Sequence, residues 1–201
     1  MTLTRMSVLV LIAGGLVACG SQPVKDHYYS LVLAAEQPMS QVSAAKSGKR
    51  IIVGPVRLAR YLDQPGLAMQ ISSSEIQSAN HHFWAEPLSE AISKVLVRDI
   101  TQRMQGADIE RSSVSTHASP DCRVEIEFEK FHSTSDSRVV SAGRFWLHSA
   151  NSRGAAQEFS ISETLMLDGY ANAVLKLRST LDKLAATIAE TLPDCTANNG
   201  A

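Results

Sequence analysis

Six histidines, a serine three residues before a lysine, and a row of carboxylates are where catalysis would have to begin in this 201-residue chain. His27, His81, His82, His117, His132 and His148 form no H-E-x-x-H pair, and none stands beside Cys, Asp or Glu at the spacing of a zinc site. The neighbours His81 and His82 would point opposite ways on an extended backbone, which breaks them as a ligand pair. Ser43-Ala44-Ala45-Lys46 has the S-x-x-K spacing of penicillin-binding enzymes, but the S-D-N and K-T-G partners are absent and the match falls in a loop of small residues. Glu125, Glu127 and Glu129 alternate along one strand face and read as solvated surface; acid–base chemistry needs opposed carboxylates in unlike environments. No G-x-S-x-G, phosphate loop or dinucleotide fingerprint occurs. The expectation is a protein that is not an enzyme, with no catalytic, cofactor-binding or metal residues.

The three cysteines carry more information. Met1 to Arg5 is short and polar with one positive charge, and Met6 to Val17 is an uncharged run of apolar and small residues. That run fits the hydrophobic part of a signal peptide and falls short of the roughly 20 residues of a membrane-spanning helix. It ends in Leu16-Val17-Ala18-Cys19, which resembles a bacterial lipobox: small residues suit a peptidase groove, and the Cys19 thiol can be acylated before cleavage. The alternatives are a plain secretory peptide or a buried N-terminal strand. In diderm lipoproteins an aspartate after the lipidated cysteine commonly retains the protein at the inner membrane; Gly20 stands there, which favours the outer membrane. Cys122 and Cys195 would then sit in an oxidising compartment. A disulfide between them would close about 73 residues, a constraint of about 4 kcal/mol on chain entropy. Two separate buried thiols or a redox pair are the alternatives; the spacing is unlike the C-x-x-C of a disulfide exchanger.

The expected organisation is a signal peptide over 1–18, a lipidated tether over 19–27, one periplasmic domain over 28–195, and a flexible tail over 196–201. The tether Gly20 to His27 extends at most about 26 Å, which keeps the domain near the bilayer. The precursor has 19 Lys plus Arg and 20 Asp plus Glu, and Arg5 is the one charge in the removed part, leaving a mature charge of about −2. Near-neutrality without a basic cluster argues against nucleic acid as a partner.

Positioning falls to strands and two helices. Tyr29 to Leu33, Arg50 to Leu58 and Leu67 to Ile71 read as strands, with a bulge or edge at Gly54-Pro55 and a turn over Tyr61-Leu62-Asp63-Gln64-Pro65-Gly66. A helix is predicted from Glu86-Pro87 to Gln105-Gly106 on the stripe Leu88, Ile92, Leu96, Ile100. Arg123 to Phe131, Arg138 to His148 and Gln157 to Leu167 read as further strands. The last helix carries Tyr170, Val174, Leu177, Leu181, Leu184, Ile188 and Leu192, capped by Asp168 or Gly169 and stopped by Pro193. The predicted fold class is α/β of the α+β type: a mainly antiparallel sheet with two long helices packed on it, a strand-strand-strand-helix pattern roughly repeated. Two segments have both a structural and a contact reading, the turn Tyr61, Leu62, Asp63 and the aromatic pair Phe83, Trp84, which can fix the helix entry or anchor a partner.

The lipobox, Tyr28-Tyr29-Ser30-Leu31, Val53-Gly54-Pro55-Val56-Arg57-Leu58, Tyr61-Leu62-Asp63-Gln64-Pro65 and Trp84-Ala85-Glu86-Pro87-Leu88 come in an order that resembles the PqiC (YmbA) family, the auxiliary lipoproteins of Mce-type ABC transport systems. Gly143-Arg144-Phe145-Trp146-Leu147 and Tyr170-Ala171-Asn172-Ala173-Val174 extend the resemblance over the mature chain. It departs at Gln64, where the family more often has arginine, and at Phe83, where a basic residue is expected. The resemblance implies an outer-membrane lipoprotein facing the periplasm and held by its lipid. Its implied partners are an Mce-domain tunnel protein and a polytopic inner-membrane protein, with assembly into a homo-oligomeric ring in some members. Its implied task is non-enzymatic docking in intermembrane lipid transport and envelope integrity; a cell-envelope hydrolase and a purely structural outer-membrane tether are the rivals.

Overall fold

A computed structural model describes residues 24–35, 48–104, 106–114, 120–149 and 152–197, without the side chains of 35 and 193–197. The lipobox, the Ser43–Lys46 match and His117 lie outside the described residues. Eight strands and two long helices follow in the order β1 (His27–Tyr29), β2 (Arg50–Leu58), β3 (Gly66–Gln70), β4 (Ile76–Trp84), α1 (Leu88–Arg103), β5 (Asp108–Arg111), β6 (Cys122–Thr134), β7 (Arg138–Ser149), β8 (Gln157–Thr164) and α2 (Tyr170–Ala197). The repeat expected from the sequence is present, with four strands rather than three before each helix.

Strand β6 is the axis of the sheet. The alternation Val124, Ile126, Phe128 puts these side chains under the helices, fully buried, while Arg123, Glu125 and Glu127 face outward. On one edge β6 runs antiparallel to β7, and β7 to β8, through hairpins. On its other edge the partner changes: β2 pairs with residues up to Phe128, and β3 takes over at Ser133 and Thr134. Both are parallel to β6, so β2 and β3 act as one strand interrupted by the 59–65 turn.

The sheet is therefore mixed, which corrects the expectation of a mainly antiparallel one. Pairs β1–β4, β2–β5, β2–β6 and β3–β6 are parallel; β3–β4, β6–β7 and β7–β8 are antiparallel. The predicted first strand is also displaced: β1 ends at Tyr29, Leu31 is turned inward and fully buried, and Leu33–Ala35 form a 3-10 turn. At Gly54-Pro55 the β2–β6 register shifts between Val53 and Val56, the bulge expected of a proline that cannot donate to the ladder.

Both helices cover one face. The α1 stripe Leu88, Ile92, Val95, Leu96, Ile100 and the α2 stripe Val174, Leu177, Leu181, Leu184, Ile188, Leu192 close a single core over Val124, Ile126, Phe128 and Phe145. The heptad-like spacing of α2 thus packs on the sheet and on α1. The helix continues past Pro193 to Ala197, beyond the stop predicted there. Gly169, at φ 105°, precedes it, and its carbonyl accepts the Ala173 N–H at 3.1 Å. A buried ion pair, Arg178 to Asp99 at 2.7 Å, ties the helices together. Burial pushes the Asp99 carboxyl up, against the lowering pull of Arg178.

Candidate functional site

The interruption between β2 and β3 leaves β6 without a ladder partner around Glu129. The chain fills it locally. Ala59 donates its N–H to Phe128 O at 2.8 Å, and the Tyr61 hydroxyl donates to Glu129 O at 2.8 Å, standing in for a backbone donor. The Tyr61 ring lies 6.0 Å from that of His132, and burial pushes its hydroxyl pKa up to about 12. His132 is 2% exposed, and burial holds its imidazole below the ordinary 6.5 against the raising effect of its contact with Ser133 O. Leu62 is buried, and the Gln64 side-chain amide donates to Tyr61 O at 2.6 Å, closing the turn on itself. Tyr61 and Leu62 hold the turn in place; Asp63 stands out to solvent.

The second segment, Phe83-Trp84, meets this turn although it is twenty residues away in sequence. Trp84 donates its N–H to Pro65 O at 2.8 Å, and Gly66 pairs with Phe83. The Trp84 ring is buried 6.3 Å from Phe131, so it is a core residue that fixes where α1 begins. Phe83, on the opposite side of β4, packs against Tyr28. Together the two segments line a cleft of about 360 Å³ formed by Asp63, Gln64, Pro65, Trp84, Glu86 and Pro87. Glu86 pairs with Lys94 of α1, and Asp63 is the exposed acid at the mouth.

Strand β4 was not legible in the sequence, and with it went the edge that holds the N-terminus. His81 and His82 do point opposite ways: His81 Nδ1 meets Asp26 at 2.9 Å, while His82 lies between His27 and Tyr170, with ring centroids at 5.1 and 3.8 Å. Tyr29 Oη and His82 Nδ1 are 2.8 Å apart. Burial, then the charges of His27 and His81, lower the His82 pKa. The signal available in the sequence was the run of His, Tyr and Phe in two short segments, which on paired strands become a stacked cluster.

The uncovered sheet face is a lattice of ion pairs: Arg57 to Glu125 at 3.3 Å, Arg144 to Glu129 at 3.0 Å and to Glu127 at 3.7 Å. These carboxylates share the outward face that their alternation implied, and there they are paired with arginines, which the spacing did not show. Beside them Arg57, Arg123, Trp146, His148 and Arg153 line an open groove of about 720 Å³, a feature the sequence reading did not single out. Among the described residues no group of three His, Cys, Asp or Glu is placed to hold a metal ion, and no helix is long and apolar enough to cross a membrane. Cys122 is fully buried at the start of β6; the Cys195 side chain lies outside the described residues.

Comparison with known proteins agrees with this scaffold. The chain is 25% identical over 183 residues to the intermembrane transport lipoprotein PqiC of Escherichia coli, covering 90% of this chain and 95% of that one. Its fold is similar to that of a crystal structure titled only as an uncharacterized protein, with TM-score 0.70 and 22% identity over 84% of this chain and 99% of the other. It is also similar to XCC0632 of Xanthomonas campestris, with TM-score 0.64 and 15% identity over 77% and 89% of the two chains. The family model for the ABC-type transport auxiliary lipoprotein component matches residues 29–189, from the first strand to near the end of α2. The chain belongs to that family, the PqiC-like auxiliary lipoproteins of ABC-type transport.

Proposed function

We propose that this transport-associated lipoprotein is anchored through Cys19 in the outer membrane, facing the periplasm, and docks an Mce-domain tunnel protein of an intermembrane lipid transport system. The observation that carries the reading is the meeting of two segments. The Tyr61–Pro65 turn and the Phe83–Pro87 segment form one cleft on a domain whose family is a transport auxiliary component. A shallow cleft with buried Trp84 and Leu88 in its lining is suited to receive a peptide tip, with Asp63 selecting a basic one. A continuous protein path has a physical purpose, since exposing lipid to water costs about 0.8 kcal/mol per CH₂. The polytopic inner-membrane partner and a homo-oligomeric ring belong to the same reading, as does the Cys122–Cys195 cross-link that would pin the end of α2 to the start of β6.

The test is co-purification after mild cross-linking in cells. Asp63→Arg leaves the buried supports untouched and should remove the Mce-domain protein from the eluate while the variant stays in the membrane fraction. Trp84→Ala is the poorer probe, because it opens the core. Retention of the tunnel protein at wild-type level by Asp63→Arg would show that the cleft is not its dock, and an intact lipid-transport phenotype in a deletion strain would leave only the structural tether.

A further inference from the structure

We infer that the domain rests one particular end on the lipid surface, with Met166 and Leu167 inserted among the headgroups as a second contact beside the lipid on Cys19. The inference rests on the proposed lipidation of Cys19.

Three connections gather at that end. Ser135 donates its N–H to Gln70 O at 3.0 Å, and Leu165 donates to Ser137 O at 2.8 Å. These bonds bring the β3–β4 hairpin, the β6–β7 hairpin and the β8–α2 connection side by side. At this end Met166 is 81% exposed and Leu167 72%. Ile76, at the first residue of β4, is also exposed. The chain enters here as well: Val24, 67% exposed, lines the same groove as Met69, Gln77 and Tyr170.

Single exposed apolar residues are ordinary on a protein surface. Two adjacent ones on a short loop, beside the point of entry of the chain, are not scattered. Their position is held: the Asn172 side chain donates to Leu167 O, and the first residue of α2, Tyr170, is stacked on His82. Small hydroxyls, Ser72, Ser73, Ser135 and Ser137, stand in the hairpins of the same end and can hydrogen-bond headgroups without a large dehydration cost.

The occupant follows from the tether. From Cys19 to Val24 the chain can extend at most about 18 Å, so the end that receives Val24 cannot stand far from the bilayer if Cys19 carries the lipid. Glu75, Asp136 and Asp168 at this end are set against Lys25 and Arg138, so there is no basic cluster to draw the domain to anionic lipid. The contact is accordingly apolar and insensitive to salt, unlike a polybasic one.

The experiment uses the full lipidated protein in phosphatidylethanolamine and phosphatidylglycerol vesicles, with Leu167→Trp as reporter and brominated acyl chains as quencher. Trp84 and Trp146 give the wild-type baseline. Roughly half of the added emission should be lost, as for a side chain about 5–10 Å into the interface, and 0.5 M salt should not restore it. Glu190→Trp, twenty residues and so about 30 Å along α2 from its first residue, Tyr170, should show no added loss. Co-flotation with vesicles that disappears in Cys19→Ser tests the anchor separately. Protein that floats normally with Leu167→Trp unquenched overturns the inference, whether that residue is in water or, by a blue-shifted emission, covered by protein. Protein that fails to float overturns the anchor itself.

Discussion

The two edges of β6 solve the same pairing problem in different ways. Toward β7 the ladder runs from Cys122–Ser149 to Thr134–Arg138, set by one tight turn, with a single irregularity between Phe128 and Lys130. Toward β2 and β3 the partner strands come from more than sixty residues earlier, run parallel, and leave a gap that a tyrosine side chain fills. A hairpin sets its register locally, whereas parallel partners need a long crossover and a pre-formed core to meet. The hairpin edge is therefore the rigid side, and the interrupted edge is where the fold could place a turn that faces a partner.

Breaking this contrast should cost most where both edges meet, at Cys122. If the cross-link to Cys195 is formed, Cys195→Ser should lower unfolding free energy by about 4 kcal/mol in denaturant titration, and a non-reducing peptide map should contain the bridged peptide in the wild type only. On the hairpin edge, Gly143→Ala brings a Cβ to 1.9 Å from Glu127 O, a backbone atom that cannot move without distorting β6. A loss of about 3 kcal/mol is expected, measured the same way. On the interrupted edge, Tyr61→Phe removes one hydroxyl donor and should cost only about 1 kcal/mol, while speeding hydrogen exchange in 59–66 more than in β7. Equal losses from these last two would mean that the two edges are equally rigid.

The smallest effect is on pH. His132, beneath Tyr61, is held below its ordinary 6.5, so the unfolded chain takes up a proton before the folded one does. Its contribution is fully present above about pH 6.5 and is lost as pH falls toward the lowered folded value, with a slope bounded by about 1.4 kcal/mol per pH unit. His132→Gln should flatten that part of the stability–pH curve, and a variant with an unchanged slope would place the titrating group elsewhere, His82 first.

The parts legible in the sequence are those whose side chains alone reveal the environment. The alternation in β6 and the stripes of α1 and α2 each carry one buried and one wet face, and β2 was readable from Arg50 to Leu58. β4 and β5 were not: Ile76 to Trp84 is mostly Gln, Ser, Asn and His because one strand lies toward the edge and keeps much of itself in water, and Asp108–Arg111 is only four residues of edge. They account for two of the four parallel pairs, β1–β4 and β2–β5. The other two, β2–β6 and β3–β6, join strands far apart in the chain, and the side-chain pattern of a strand does not encode the direction of such a partner, so the sheet reads as mainly antiparallel in one dimension. For the candidate site, the sequence singled out two segments that the structure brings together, and it could not tell which members were supports. Leu62 and Trp84 look like contact residues in one dimension; burial assigns them to the core and leaves Asp63 outward.

The entry of the chain has a mechanical consequence. Strand β1 starts at His27 and runs parallel to β4, so tension arriving from the N-terminus acts along the strand axis. The rungs from His27 to Tyr29 are then loaded together in shear instead of being opened one after another like a zipper. The bond from Ala85 N–H to Tyr29 O and the stacked imidazoles add to the same joint. On the proposed anchor at Cys19, this three-residue strand, weak as a piece of sheet, would serve as a strain relief between the leash and the folded body.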